Sequence, residues 1–168
     1  MAIMDTDFLS SFFKIGKLDV ILKALNLNHI TIPSTVYEEL KKSKFFDEIV
    51  SLFAFKEKEL NDRRFVLVKN VDLSKLDSFT EEEMRILGKG ELGCFLLAKS
   101  GETILVDDSK ARSVAKEKGL KVVSVSSFLL YCKRKSIVSL SELEQIVNDL
   151  KTKDHYEFTE EIKKTLLE

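Results

Sequence analysis

The sequence predicts an α/β domain, a mostly parallel sheet covered by helices in three layers. Two observations carry this. Short β-prone apolar runs alternate with stretches whose apolar residues recur at helical intervals, the signature of strand–helix–strand units. Only 1 Pro and 6 Gly occur in 168 residues, which leaves little room for long loops, so the elements follow one another closely.

Ala2 to Met4 is a short apolar run that reads as a buried strand stopping at Asp5. From Thr6 the residues Phe8, Leu9, Phe12, Phe13 and Ile15 recur at helical spacing until Gly16, and Leu18, Ile21, Leu22 and Leu25 continue on a second short helix. His29 to Ile32 is strand-like and Pro33 punctuates it. Thr35 with Glu38 three residues later matches a capping box, opening a helix through Val36, Tyr37 and Leu40. Phe45 to Leu60 is amphipathic, and Phe65 to Val68 reads as a strand. Thr80 with Glu83 marks another capped start; Gly88-Lys89-Gly90 then breaks the pattern, and Glu91 begins a helix through Phe95, Leu96 and Ala98. Thr103 to Val106 is a continuous β-prone run ending at Asp107-Asp108. Ser109 to Lys118 is helical and stops at Gly119, Val122 to Val125 is a strand, and Phe128 to Lys135 a helix. Ser141 with Glu144 caps a further helix, and Thr159 to Leu167 forms the last. Residues 1–136 contain every predicted strand; residues 137–168 read as a charge-rich helical extension of the same domain.

Composition narrows the function. With 44% hydrophobic and 33% charged residues the chain is ordinary globular material rather than a disordered tail. Lys and Arg number 27 against 28 Asp and Glu, a formal net charge of −1, which excludes a histone-like basic coat. Any nucleic-acid contact must come from a local patch or a bound cation. Cys94 and Cys132 lie in apolar helical stretches and read as reduced core thiols; no CxxC or Cys/His spacing suggests zinc. His29 and His155 are lone. No stretch approaches the ~20 apolar residues of a bilayer span, and Met1-Ala2-Ile3-Met4-Asp5 lacks the pattern of a signal peptide. A cytoplasmic protein without a membrane partner is expected.

In parallel sheets, sites form beyond the carboxyl ends of strands. Asp5 and Asp107 stand at two such ends, and Glu39 and Glu91 lie on helices that could line the same crevice. Four acids from remote parts of the chain, with no His or Cys cluster, suit a hard cation such as Mg²⁺ or Mn²⁺. Gathering them without a cation is costly, because like charges raise one another's pKa. Local readings compete. Glu91 could be first-turn helix chemistry, Glu39 a solvated helix residue beside Glu38, Asp108 the N-cap of its helix, and Asp7 a local partner in its first turn. Asp5 and Asp107 are harder to explain locally, since a carboxylate closing a buried strand needs a partner.

The residues also resemble a known family. Ile3-Met4-Asp5-Thr6-Asp7-Phe8-Leu9 is similar to the hydrophobic-Asp-Thr opening of PIN-domain nucleases. Lys14-Ile15-Gly16-Lys17-Leu18-Asp19 and Ile32-Pro33-Ser34-Thr35-Val36-Tyr37-Glu38-Glu39-Leu40 resemble one prokaryotic branch related to the VapC-type toxins. Gly90-Glu91 with Ala98, then Leu105-Val106-Asp107-Asp108-Ser109-Lys110-Ala111-Arg112 with Ala115 and Gly119, continue in the same order, and the helices after Ile137 are similar too. Two departures stand out: Ser124-Val125 where that branch usually has Gly-Thr, and Asp7 where Asn or Ser is common. Neither removes an acid.

The resemblance implies a PIN-like three-layer α/β/α sandwich and a Mg²⁺- or Mn²⁺-dependent ribonuclease. Its acidic quartet carries over to Asp5, Glu39, Glu91 and Asp107 as the catalytic set. Asp5, Glu91, Asp107 and Asp108 are the metal-ligand candidates and Thr6 supports the site. Arg112, Lys133 and Arg134 are the leading candidates for holding the RNA backbone, with Lys41, Lys42, Lys44, Arg63, Arg64 and Lys135 behind them. The partners to test are an RNA substrate, a second copy of the chain and an antitoxin. The apolar stripe Phe45-Phe46, Ile49, Leu52-Phe53 has two readings, a dimer seam and ordinary core.

Two rival functions remain at this point. A haloacid-dehalogenase-like phosphatase would use Asp5 and Asp7 as nucleophile and acid, but gives Glu39 and Glu91 no task. The other is a catalytically silent nucleic-acid-binding or regulatory module on the same fold.

Overall fold

The computed structural model describes residues 1–52, 54–56, 65–98 and 101–168. The order along the chain is β1 (Ala2–Met4), α1 (Thr6–Lys14), α2 (Leu18–Ala24), β2 (His29–Pro33), α3 (Ser34–Lys41), α4 (Phe46–Leu52), β3 (Ala54–Lys56), β4 (Phe65–Lys69) and α5 (Glu81–Ile86). It continues with α6 (Lys89–Leu97), β5 (Thr103–Leu105), α7 (Ser109–Glu117), β6 (Lys121–Val123), α8 (Val125–Arg134), α9 (Leu140–Asp154) and α10 (Glu160–Leu167). Among the described residues the six strands form one sheet in the order β3-β4-β2-β1-β5-β6, and each neighbouring pair is parallel.

This is the α/β sandwich the alternation predicts. A central parallel strand is flanked by neighbours and covered by helices, so it must be apolar throughout. Ala2, Ile3 and Met4 are accordingly all buried, with Ile3 facing Thr31 of β2 and Ile104 of β5. Phe8 and Phe12 stack on α1 at 5.1 Å, and Phe128 of α8 meets both rings edge-on at 5.9 and 5.4 Å. Such offset and edge geometries are the favourable ones for aromatic pairs. Helix α1 touches α2, α3 and α9, α10 packs on α8 and α9, and α6 lies against β1, β2 and α3. Leu143, Ile146, Leu150 and Leu166 are buried in the same apolar cluster as the sheet, so α9 and α10 share the core of the strands they follow. Ser11 and Lys14 of α1 both bond the Asp154 carboxylate at 2.5 Å, and Lys17 reaches Glu142 at 2.9 Å.

Several boundaries differ from the sequence reading. Thr35 is not an N-cap: the helix begins at Ser34 behind Pro33, whose ring has no side-chain group to bond the first turn. The amphipathic stretch from Phe45 is a helix only to Leu52, after which Ala54–Lys56 forms a strand; residues 57–64 lie outside the described part. Ile49 is buried, Phe45 stacks on Phe13 and Phe46 meets Tyr37, so that much of the stripe serves the core; Phe53 lies outside the described residues. Helix α6 starts two residues before Glu91, at Lys89. Strand β6 ends at Val123 because Ser124 turns to cap α8, its side chain accepting from Ser127 N–H, which puts Val125 in the helix. The α9 cap is Ser139 bonding Glu142 N–H, not Ser141. Thr80/Glu83 and Thr159 cap as predicted. Cys94 and Cys132 are free and buried. No helix among the described residues is long and apolar enough to cross a membrane.

Candidate active site

Chain connections leave β1 toward β2 on one side and β5 toward β6 on the other, so the strand order reverses between β1 and β5. A crevice opens at such a switch point, beyond the carboxyl ends of the two strands. Asp5 follows β1 directly, and its N–H donates to Leu105 O of β5 at 3.1 Å. Asp107 and Asp108 follow β5 after Val106.

Asp5 is only 2% exposed. It caps α1, with Oδ1 accepting from Phe8 N–H at 2.8 Å. Burial pushes its carboxyl well above the ordinary range; the Phe8 bond opposes this, and the negative charges of Asp7, Glu91 and Asp107 push the same way as burial. Glu91, in the first turn of α6, is raised by burial and then by Glu39, Asp7 and Asp108. Asp7 is raised by burial and by Glu39 and Asp154, against the pull of Lys14. These carboxylates therefore share one negative field.

Glu39 reaches in from α3. Its Oε2 accepts from the Thr6 hydroxyl and its Oε1 from Gly90 N–H at 3.0 Å. Asp107 is half-buried, and its Oδ1 accepts from Val125 N–H, the first amide of α8, at 2.9 Å. Its carbonyl accepts from Arg112 Nε at 3.3 Å. Asp108 is exposed and caps α7, accepting from Ala111 N–H at 2.7 Å, as the local reading of that residue has it.

Asp5, Thr6, Asp7, Glu39, Gly88, Gly90 and Glu91 line a cavity of about 220 Å³. A wider groove of about 600 Å³ adjoins it at Asp7 and is lined further by Lys14, Asp107, Asp108, Asp154, His155 and Tyr156. The C-terminal extension thus forms one wall. Its Tyr156 phenol lies beside Asp107, Ser126 and Arg112, and burial together with the Asp107 charge pushes it far above the usual phenol range. Asp154 and Tyr156 are site-lining residues that the sequence reading did not select, and Asp7 was weighed only as a local partner or as the acid of the phosphatase reading. Asp7 carried a signal, since it lies in the first turn of the helix that Asp5 caps. Asp154 and Tyr156 carried none, because only the packing of α9 on α1 brings them there.

The basic candidates separate. Arg112 is held by its bond to the carbonyl of Asp107, a residue that lines the wider groove. Lys133 donates to Thr165 O at 2.8 Å near the far end of α8, and Arg134 is exposed beside it. Ten residues of helix, about 15 Å, span α8 from the Asp107-bound amide to Arg134. Lys41 pairs with Glu38, and Arg63 and Arg64 lie outside the described residues.

Among the described residues no three carboxylate, imidazole or thiol groups converge closely enough to share one ion. Four of the acids are instead turned toward donors of their own: Asp5 to Phe8, Glu39 to Thr6 and Gly90, Asp107 to Val125, Asp108 to Ala111. The donor set is nonetheless that of a hard divalent cation, oxygens only, with a deeply buried carboxylate among other negative charges.

A family model described as DUF3368: PIN domain matches residues 1–168. No curated protein and no solved structure gives a significant match.

Proposed function

The chain belongs to the PIN-domain family DUF3368, and from that premise we propose that it is a Mg²⁺- or Mn²⁺-dependent ribonuclease. PIN domains are generally nucleases. The observation that supports the finer reading is Asp5, buried to 2% exposure at the β1/β5 switch point with Asp7, Glu91 and Asp107 raising its pKa further. A carboxylate kept in such a place without a cationic side chain on it is costly to the fold, and a divalent cation relieves the cost.

Asp5, Glu91 and Asp107 would hold the cation once their side chains turn from their present partners toward it, with Asp108 adding charge at the rim. A bound cation of this kind supplies charge neutralisation at a scissile phosphodiester and acidifies water. The chain's own residues prepare the place. Phe8 and Val125 amides fix the Asp5 and Asp107 carboxylates through one oxygen each. Arg112, held on the Asp107 carbonyl, brings positive charge to the crevice where the RNA backbone would lie. Lys14 does the same at the rim of the wider groove. A formal net charge of −1 suits brief sampling of single-stranded RNA rather than coating of it.

Membership of the PIN family favours this over the phosphatase reading, which leaves Glu39 and Glu91 idle. A toxin of the VapC-related branch, a cytoplasmic setting, a homodimer and an antitoxin partner belong to the same proposal. The test is cleavage of single-stranded RNA with Mn²⁺, with chelator, and with the Asp5→Asn variant. Cleavage should need the metal and vanish in the variant while the fold persists. Undiminished cleavage by D5N refutes the assignment, and metal-independent RNA binding without cleavage would favour the silent module.

A further inference from the structure

We propose that Glu39 is a positioning residue, a clamp that ties the start of α1 to the N-terminus of α6 and so sets the separation of Asp5 and Glu91. Its two oxygens are bonded to the two residues next to those acids. Thr6, which follows Asp5, donates its hydroxyl to Oε2, and Gly90, which precedes Glu91, donates its N–H to Oε1 at 3.0 Å. One carboxylate on α3 therefore spans two helix starts that are remote in sequence.

A second, independent feature points the same way. Helix α6 has Gly88 at its N-cap, which has no side chain to accept from the Gly90 amide. Glu39 supplies that acceptor from another helix, and its negative charge sits at the favourable end of the α6 dipole. The fit is close: a Cβ on Gly90 would stand 2.6 Å from Oε2 and 3.2 Å from both Cδ and Oε1, so only glycine lets the carboxylate lie on this backbone. Each oxygen already accepts from a protein donor, so the clamp acts through hydrogen bonds and does not depend on Glu39 touching the cation. Only its effect on the cation rests on the reading proposed above; the clamp itself does not.

The test compares E39A, E39Q and T6A in the full chain, reading thermal stability and Mn²⁺ affinity by calorimetry. Glutamine can keep both bonds without the charge. Its oxygen accepts from Gly90 N–H, and its NH₂ donates to the Thr6 hydroxyl, which turns to accept. E39A should lose Tm and weaken Mn²⁺ binding about tenfold, the scale seen when groups orienting metal ligands are removed. E39Q should restore both toward wild type. T6A should weaken both in part, and T6A/E39A should be no worse than E39A alone, because the two residues share one interaction. If E39A does not fold, T6A and E39Q carry the test. E39Q binding Mn²⁺ as poorly as E39A while keeping its Tm overturns the clamp in favour of direct ligation. Variants indistinguishable from wild type overturn it outright. If wild type binds no Mn²⁺, the metal reading fails, and the clamp stands on Thr6–Glu39 coupling in Tm and falls on additivity.

Discussion

Gly93→Ala tests the approach of α3 to α6 on which the acidic cavity depends. A Cβ on Gly93 would lie 1.9 Å from Thr35 Oγ1, 3.1 Å from Thr35 Cβ and 3.2 Å from Pro33 Cβ. The first contact is impossible as it stands, and the other two are tight. Neither neighbour yields easily: a proline ring does not rotate, and a β-branched side chain in a helix is stiff at χ1. Overpacking of this kind costs about 3 kcal/mol at the upper end, and alanine returns about 1 kcal/mol of helix propensity over glycine. The net loss is about 2 kcal/mol, or about 4–8 °C in Tm for a chain of this size. Thr35 Oγ1 is also the one buried side-chain polar atom without a hydrogen-bond partner among the described residues. Thr35→Ala removes that orphan, so alone it should be close to neutral, and combined with G93A it should recover about half the loss, leaving the Cβ contacts. Differential scanning calorimetry of the four proteins reads the cycle. G93A as stable as wild type, or no rescue by T35A, would show that the helices are further apart than the structure has them.

Other expectations follow from the same contacts. The raised carboxyl of Asp5 means that the native state keeps a proton there which the unfolded chain has already released. Stability is therefore lost as pH rises from the ordinary carboxylate range, about pH 4, through the higher native value. D5N keeps the Phe8 cap, since Asn caps well, and does not ionise. In chelator, its Tm relative to wild type should climb between about pH 4 and neutrality, and a pH-independent difference would contradict the burial. Asp154→Ala removes the partner of Lys14 and Ser11, and the largely buried Ser11 hydroxyl left behind costs about 1–2 kcal/mol, or about 2–8 °C in Tm. D154N, which still accepts from Ser11, should lose less; equal Tm for D154A and wild type would mean that the tie between α1 and α9 holds nothing.

Most of the strand–helix order was legible because each element announces itself locally. Ala2 to Met4 is apolar and ends at an acid that caps the next helix, and Thr80 with Glu83 forms a capping box that the structure contains. Boundaries failed where one signal fits two registers. Ser139 and Ser141 each have Glu three residues on, and the chain uses the first. Ser124 reads as a strand residue until its hydroxyl is seen capping α8. Strand β3 was hidden inside an amphipathic stretch, because short apolar segments do not distinguish helix from strand. At the site, Asp5, Glu39, Glu91 and Asp107 were selected through strand ends and the family resemblance, and the structure places the first three in one cavity and Asp107 on the adjoining groove. What sequence could not disclose was the far wall, since Asp154 and Tyr156 arrive only through the docking of α9.

A middle strand of the sheet, β1, is made well before β5, one of the two strands it pairs with. Met4 pairs with Leu105, and the Asp5 amide bonds that same carbonyl, so the amino-terminal strand emerges long before one of its two neighbours exists. At translation rates of about 5–20 residues per second, this edge stays open for about 5–20 s. A product truncated before Asp107 holds half a crevice. The proposed chemistry would thus be withheld from incomplete chains by topology alone, with no inhibitor required.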